Sequence, residues 1–316
     1  MEYNIVEKLK KETAKVEKIV KDLISAEESS RVKNIISKDD LIITYSSLRK
    51  IPATTLYWIL TVLNTKRKQP VLSDITSFLT HIAPYRKDYS LLAITSNPSS
   101  LKRLHDVYRL LNVDMVVLSE TMPKGIKYSN VMLLNFGNTL FQNNLGYTMY
   151  LSSLALEIIP ETLITRRTSK LCDELINIAS IIPSLFERYK DVLNNIVDTL
   201  VEGRNVVFLT PSYLRNVIDT YLHLAPYRLK GKIFSHDLSI VFEECPKPRN
   251  DTTYVICRTG VEELSYKFAK FSCGLENLLD LNLNVDPVSA STYLLLLMEY
   301  IFRYLNTVCK KSHNNS

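Results

Sequence analysis

The chain has 316 residues, of which 46% are hydrophobic and 23% are charged. This apolar content excludes a disordered chain and suffices for one large domain or two of ordinary size. Only seven glycines occur, and no two of them lie within five residues of each other. That spacing excludes the glycine-rich phosphate loops of nucleotide-binding proteins, so a phosphate ligand has to be bound without them.

The formal net charge is +6, and the whole excess of Lys and Arg over Asp and Glu lies in residues 1–160. The positive electrostatic field of such an excess attracts anionic ligands, although solvated lysines without a functional role give the same excess of charge. The densest basic cluster, Lys66–Lys68, is too short for a nucleic-acid-binding arm. No zinc finger or helix-turn-helix signature accompanies it, so we expect no nucleic-acid partner.

The five cysteines are widely spaced and form no C-x-x-C pair, which argues against a zinc site or a redox motif. We expect free thiols and a cytoplasmic location. The charged N-terminus lacks the apolar core of a signal peptide. The longest apolar stretch, 287–305, contains Glu299 and Arg303, which predicts a buried helix and no association with a membrane.

The N-terminal segment, 1–38, begins with apolar residues at three- and four-residue steps, including Leu9, Val16 and Val20. This spacing predicts an amphipathic helix with a narrow apolar stripe. Such a stripe has to pack on something, and we expect a second copy of the chain in a homodimer.

From residue 39 to residue 168, short apolar runs alternate with stretches of helical spacing. Continuous runs, as opposed to alternating ones, are typical of strands buried on both faces. Strands separated by helices predict a parallel α/β sheet. The runs are 41–44, 70–72, 91–94, 115–118 and 131–134.

Residues 169–316 repeat this plan after a long helix, 169–201, which Pro183 is expected to interrupt. The later apolar runs are 206–209, 232–234, 253–257 and 278–283. We therefore predict two successive α/β domains, 39–168 and 169–316, each a three-layer αβα unit around a parallel sheet of about five strands.

Hydroxyl-rich segments follow two of the predicted strands, Thr44–Arg49 after the first and Thr95–Ser100 after the third. Ligands of open α/β sheets bind beyond the carboxyl ends of the strands. Hydroxyls at a helix N-terminus suit a phosphate monoester, although the same residues also cap helices. Two such segments in one unit favour an anion site.

At these segments the sequence resembles the tandem sugar isomerase (SIS) domain family, which includes the isomerase half of glucosamine–fructose-6-phosphate aminotransferase. The family's phosphate loop, I-S-x-S-G-x-[ST], corresponds to Ile94–Ser100, and its G-[TC]-S turn corresponds to Tyr45–Ser47. Both signature glycines are replaced, by Tyr45 and Pro98. The resemblance implies a phosphosugar site formed by Ser46, Ser47, Thr95, Ser96, Asn97, Ser99 and Ser100.

The catalytic motif of the resembled family is not preserved. Its E-G-A-L-K-L-K-E helix corresponds to 219–226, which places Pro226, or Tyr227 if the alignment shifts by one residue, where the catalytic glutamate stands. The loop 239–244 lacks the ring-opening histidine. Isomerisation of an aldose to a ketose needs a general base. The remaining candidates are His223, His236, Glu243 and Glu244, with His236 beside Asp237 preferred because histidine titrates near neutral pH.

Two hypotheses follow from the resemblance. One is a sugar-phosphate isomerase or amino-sugar-phosphate deaminase/isomerase. The other is a non-catalytic sugar-phosphate-binding or regulatory protein that has lost the catalytic glutamate. Neither implies a metal or nucleotide cofactor, and the resemblance also favours a homodimer.

Overall fold

The computed structural model describes residues 2–63, 68–122, 128–160, 165–222, 224, 229, 231–247, 249–275 and 278–314. The chain divides into two compact units. Thr13–Asn177 form what we call the five-strand unit, and Met1–Glu12 with Ile178–Ser316 form the four-strand unit. The domain boundaries predicted at residues 38/39 and 168/169 stay a prediction.

The five-strand unit is built on a wholly parallel sheet with strand order β2-β1-β3-β4-β5. Its strands are β1 Leu41–Tyr45, β2 Val71–Asp74, β3 Ser90–Thr95, β4 Asp114–Ser119 and β5 Val131–Leu133. Its helices are α2 Ser29–Ser37, α3 Lys50–Val62, α4 Ile75–Ser77, α5 Pro98–Leu111, α6 Leu140–Glu157 and α7 Arg166–Ile176, preceded by part of α1 Glu2–Ile24.

The continuous apolar runs of the central strands β1, β3 and β4 are buried on both faces, as predicted, whereas those of the edge strands β2 and β5 are only partly buried. Every residue of β3 is buried. One face, which carries Ile42, Leu91 and Met115, packs against α4, its π-helical continuation and α5. Helices α2 and α3 contact strands as well. Because the strand order reverses between β1 and β3, the carboxyl ends of these two strands flank the place where ligands of such sheets bind.

The four-strand unit has a second parallel sheet, with strand order β7-β6-β8-β9. In the described part of the chain this sheet has four strands, where about five were predicted. The strands are β6 Asn205–Thr210, β7 Ile233–Asp237, β8 Thr252–Arg258 and β9 Leu278–Asn282. The helices are α8 Ile178–Val201, α9 Ser212–Leu222, α10 Ile240–Glu243, α11 Glu263–Lys267 and α12 Ala290–Asn314.

The interruption of the long helix lies at Asn177, and the prediction of a break near Pro183 is wrong. Pro183 lies inside α8. A proline removes only one backbone hydrogen bond, and here it lies within the first two turns, where few such bonds precede it. Asn177 instead has φ −112° and ψ 42°, which are not helical.

The apolar stripe of α1 is buried inside the chain. Leu9, Val16 and Val20 are at most 3% exposed. Within the four-strand unit, Arg303 Nη2 lies 2.6 Å from Glu12 Oε2, which joins the start of α1 to α12. The stripe therefore gives no support to a second copy, and the homodimer stays a prediction from the resemblance.

Two of the five cysteines are joined. The prediction of free thiols is wrong for Cys245 and Cys273, which form a disulfide across 28 residues of sequence. Their pairing depends on the fold, because the loop after α10 returns to the segment after α11. Cys172, Cys257 and Cys309 take part in no disulfide. The cytoplasmic location rested on free thiols and stays a prediction.

The apolar stretch at 287–305 lies in α12, whose residues 290–302 are almost all buried, as predicted. Within the described residues, no helix is both long and apolar enough to cross a membrane.

Candidate functional site

The two hydroxyl-rich segments meet at the carboxyl edge of the five-strand sheet. Strands β1 and β3 are neighbours, and the Ser46 N–H donates to the Ile94 carbonyl at 3.0 Å. The Ser96 N–H donates to Ser46 Oγ at 3.4 Å. The structure thus brings Ser46 and Ser96 together at the point where the strand order reverses.

The segment after β3 ends in a capped helix of fourteen residues, α5. Asn97 Oδ1 accepts hydrogen bonds from the N–H and the hydroxyl of Ser99, both at 2.9 Å. Buried Thr95 accepts one from the Asn97 N–H at 3.1 Å. Pro98 occupies the first turn, where a proline fits but supplies no N–H donor. Thr95, Asn97 and Ser99 therefore shape the loop itself.

Three hydroxyls at this edge have no hydrogen-bond partner within the described residues, namely those of Ser47, Ser96 and Ser100. Ser47 is exposed, and the other two are half-buried. With Ser46 they form what we call the hydroxyl edge. These side chains are available to a ligand beside the N-terminus of α5, where the helix dipole favours negative charge.

A buried arginine lies beside the hydroxyl edge, and sequence reasoning assigned it no role. Arg49 is 2% exposed, and its Nε donates to Glu120 Oε1 at 2.6 Å. Its Nη1 donates to Asn144 Oδ1 at 3.1 Å. Arg49 lies in the hydroxyl-rich segment after β1, but no sequence pattern indicates that it pairs with Glu120, 71 residues further on.

The carboxylates at the carboxyl ends of β2 and β4, Asp74 and Glu120, are already engaged. Asp74 Oδ2 accepts the Ser77 hydroxyl at 2.6 Å, and this hydrogen bond is the main cause that holds the pKa of Asp74 below its ordinary value. Burial, and then the nearby Asp74 carboxylate, raise the pKa of Tyr45. Since Glu120 is held by Arg49, neither carboxylate at this edge is a ready general base.

The predicted catalytic residues lie elsewhere. His236 is on β7, and Glu243 and Glu244 are at the end of α10, all of them exposed in the four-strand unit. His236 and Glu244 line one cavity. His236 and Asp237 are consecutive on a strand, so their side chains leave opposite faces. His223 lies outside the described residues, as does Pro226.

The matching place in the four-strand unit is filled by protein groups. Between the carboxyl ends of β6 and β8, the Tyr213 hydroxyl donates to Glu262 Oε1 at 2.7 Å. The Thr259 N–H and hydroxyl both donate to Glu262 Oε2, at 2.8 and 2.9 Å. The Glu262 carboxylate therefore accepts three hydrogen bonds from the donors at this edge.

No site for a metal ion is evident in the part of the chain that the structure describes. Within it, no three or more His, Cys, Asp or Glu side chains are grouped so that they could hold one.

No protein-family model matches this sequence, and no curated protein matches it. Solved structures do match over nearly the whole chain. The C-terminal domain of glucosamine–fructose-6-phosphate aminotransferase from Francisella tularensis matches with a TM-score of 0.65 and 10% identity, covering 95% of each chain. Tagatose-6-phosphate ketose/aldose isomerase from Escherichia coli matches with a TM-score of 0.62 and 11% identity, covering 97% of this chain and 94% of that one.

A third match is a Salmonella typhimurium LT2 protein to which sugar binding is ascribed. Its TM-score is 0.68 at 10% identity, covering 93% of this chain and 98% of that one. At such identities the likeness shows the fold alone. The chain has the sugar isomerase fold, and the predicted resemblance and α/β fold class are confirmed at that level.

Proposed function

We propose that this protein binds a sugar phosphate at the hydroxyl edge. The observation that carries the proposal is the meeting of Ser46 and Ser96 at the reversal of strand order, beside the N-terminus of α5. The free hydroxyls of Ser47, Ser96 and Ser100 are suited to donate to phosphate oxygens. Structures named for fructose-6-phosphate and tagatose-6-phosphate chemistry share this fold, which supports the choice of ligand.

The direct test is thermal melting with fructose 6-phosphate, tagatose 6-phosphate, glucosamine 6-phosphate and inorganic phosphate, with fructose as the uncharged control. A ligand at ten times its Kd stabilises the folded state by about 1.4 kcal/mol. We expect this to raise Tm by roughly 2–4 °C. Absence of a shift at millimolar sugar phosphate would contradict the proposal.

A charge placed in the first turn of α5 sharpens this test. Ser100→Asp favours the helix through its dipole but repels a bound phosphate. We expect the folded protein to keep its Tm and to lose the shift caused by sugar phosphate. Ser212→Asp is the matched control, since Ser212 begins α9 after β6 in the four-strand unit. That variant should respond to the ligand as the wild type does.

Non-catalytic binding is the form of this function that the site supports best. Asp74 and Glu120, the carboxylates at the carboxyl ends of β2 and β4, are held by Ser77 and Arg49. The general base that would remove the proton from C2 of the sugar therefore has to come from elsewhere in the chain. Tagatose-6-phosphate ketose/aldose isomerase shares the fold, so isomerisation is the second candidate function.

Exchange of the C2 proton with solvent, followed by NMR, separates the two functions. A binder leaves the C2 proton in place, whereas an isomerase exchanges it. If exchange occurs, its loss in His236→Ala, Glu243→Ala or Glu244→Ala would support those residues, and its persistence in all three would reject them.

The homodimer is proposed on the resemblance and on one exposed apolar surface. Val261, Leu264 and Phe271, all near α11, are each more than 70% exposed. Apolar side chains grouped in this way often mark an interface. Sedimentation equilibrium tests the proposal: a monomeric mass would exclude the dimer, and Leu264→Lys should convert a dimer to monomer.

A further inference from the structure

A cavity of about 590 Å³ lies on one face of the four-strand sheet. Its floor includes Val207, Phe234 and Tyr254, which are neighbours in register across β7, β6 and β8. Only α10, a helix of four residues, follows β7 on this face. Because so short a helix cannot cover the sheet, Phe234 remains 41% exposed. The cavity is the part of the sheet face that the fold leaves uncovered.

Two cations line this cavity without a carboxylate partner. Lys247 and Arg249 both line it, and neither forms an ion pair within the described residues. Elsewhere in the same unit, Arg204, Arg258 and Arg303 are all paired with carboxylates. Arg249 lies near the phenol of Tyr254, whose hydroxyl donates to the Lys247 carbonyl at 2.9 Å.

The other polar groups of the lining do not cancel this positive charge. Glu244 is the one carboxylate among the lining residues, and His236 is the third basic side chain. The Asn205 amide is already engaged with Asp251 and with the Lys232 N–H. Thr252 donates to Asp251 as well. The lining thus carries two permanent cations, Lys247 and Arg249, against one carboxylate, Glu244, while the neighbouring Asp251 carboxylate is engaged by Asn205 and Thr252.

The wall of the cavity is held in place covalently. Cys245 belongs to the lining, and its disulfide to Cys273 ties the 244–247 segment to the buried cluster of Ala269 and Leu275. A wall fixed in this way lowers the conformational cost of binding a ligand.

We propose that this cavity binds an organic anion, that is, a carboxylate, sulfonate or phosphate carried by a flat apolar body. The body would lie on Phe234 and Tyr254, and the anion would meet Lys247 and Arg249. The volume falls within the range of roughly 300–1,000 Å³ found for small-molecule sites. The cavity belongs to the four-strand unit and is therefore distinct from the hydroxyl edge, although His236 and Glu244, two of the candidate catalytic residues, also line it. It does not depend on sugar-phosphate binding.

The test uses two fluorescent probes of similar shape. 8-Anilinonaphthalene-1-sulfonate carries the anion, and N-phenyl-1-naphthylamine lacks it. In the double variant Lys247→Gln/Arg249→Gln we expect the Kd of the sulfonate to rise by about tenfold or more. Binding of the uncharged probe should stay unchanged. Phe234→Ser should weaken both probes.

Two control variants separate the cavity from other surfaces of the same unit. Lys267→Gln removes an exposed cation on α11, and Tyr3→Ala removes an exposed aromatic ring on the part of α1 that belongs to this unit. Neither should change either Kd by more than about twofold. The exposed positions 247 and 249 allow folding of the double variant, which its Tm verifies. The proposal is overturned if the wild type does not bind the sulfonate, if the double variant binds it unchanged, or if a control variant weakens it equally.

Discussion

The carboxyl edges of the two sheets both lie where the strand order reverses, but their polar side chains are hydrogen-bonded differently. In the five-strand unit, Ser46 and Ser96 meet where the strand order reverses, and their only mutual hydrogen bond is long, at 3.4 Å. In the four-strand unit, Tyr213 and Thr259 meet at the matching place, and both donate to Glu262 at distances below 3.0 Å. At one edge three hydroxyls have no partner within the described residues, whereas at the other the donors are bound to the Glu262 carboxylate.

The same difference extends to the arginine beside each edge. Arg49 and Arg258 are both buried and both paired, with Glu120 and with Asp280. Arg258 also reaches Glu263 and lies 4.5 Å from the centroid of the Tyr266 ring. Each edge is thus fixed from one side by the ion pair of a buried arginine. The two edges differ in whether the hydrogen-bond donors of the edge itself are bound to other protein groups.

Removal of Arg258 should give the largest effect. We expect Arg258→Leu to lower the free energy of unfolding by about 3 kcal/mol, because it leaves Asp280 and Glu263 without their common partner. Urea denaturation measures this change. Arg204→Leu is the control, since the Arg204–Glu202 pair is exposed and such pairs contribute little. An equal effect in the two variants would show that Arg258 does not fix this edge.

Glu262→Ala should lower the free energy of unfolding by less, about 1–2 kcal/mol. It removes an N-terminal capping box and the 2.7 Å hydrogen bond of the half-buried Tyr213 hydroxyl, which keeps only its 3.3 Å contact with Thr259 Oγ1. Chemical denaturation against Glu202→Ala, an exposed glutamate of the same unit, isolates the effect. A loss no greater than in that control would mean that the carboxylate contributes nothing to the edge. The contrast between the two edges would then fail.

The sequence was sufficient for the strands and for the meeting of Ser46 with Ser96, because buried strands are continuous apolar runs and parallel strands end at a common edge. It could not supply pairs that only the tertiary fold creates. Arg49 and Glu120 are 71 residues apart, and Tyr213 and Glu262 are 49 apart. The Cys245–Cys273 bond and the cavity beside α10 were missed for the same reason, since no local pattern marks them.

At the edge of the five-strand sheet opposite the hydroxyl edge, the Asp40 carboxylate lies at the amino end of β1, and its contribution to stability can be tested by varying the pH. The hydrogen bond from Lys68, with further help from Arg86, holds the pKa of Asp40 below its ordinary value of 3.8. A depressed pKa in the folded state stabilises the protein above the unfolded-state pKa, and this stabilisation is lost as the pH falls through the folded-state value.

We expect Asp40→Asn to lower the free energy of unfolding by about 0.5–1 kcal/mol at pH 7, since the pair is partly exposed. The difference from the wild type should shrink as the pH falls below about 4. Asp114→Asn is the control, because Asp114 is exposed at the start of β4 and forms no ion pair within the described residues. A difference independent of pH would show that the loss does not come from the charge of Asp40.

Ser46→Ala should have the smallest effect on stability and the clearest effect on binding. The Ser46 hydroxyl is half-buried and accepts only the long bond from the Ser96 N–H. We therefore expect a change below about 0.5 kcal/mol in the free energy of unfolding, together with a measurable loss of sugar-phosphate affinity by calorimetry. If Ser46 serves the proposed ligand, its hydroxyl contributes little to the unliganded fold, whereas Glu262 accepts three hydrogen bonds within the fold. If Ser46→Ala instead destabilised the chain as much as Glu262→Ala, the hydroxyl edge would be a structural cap like its counterpart.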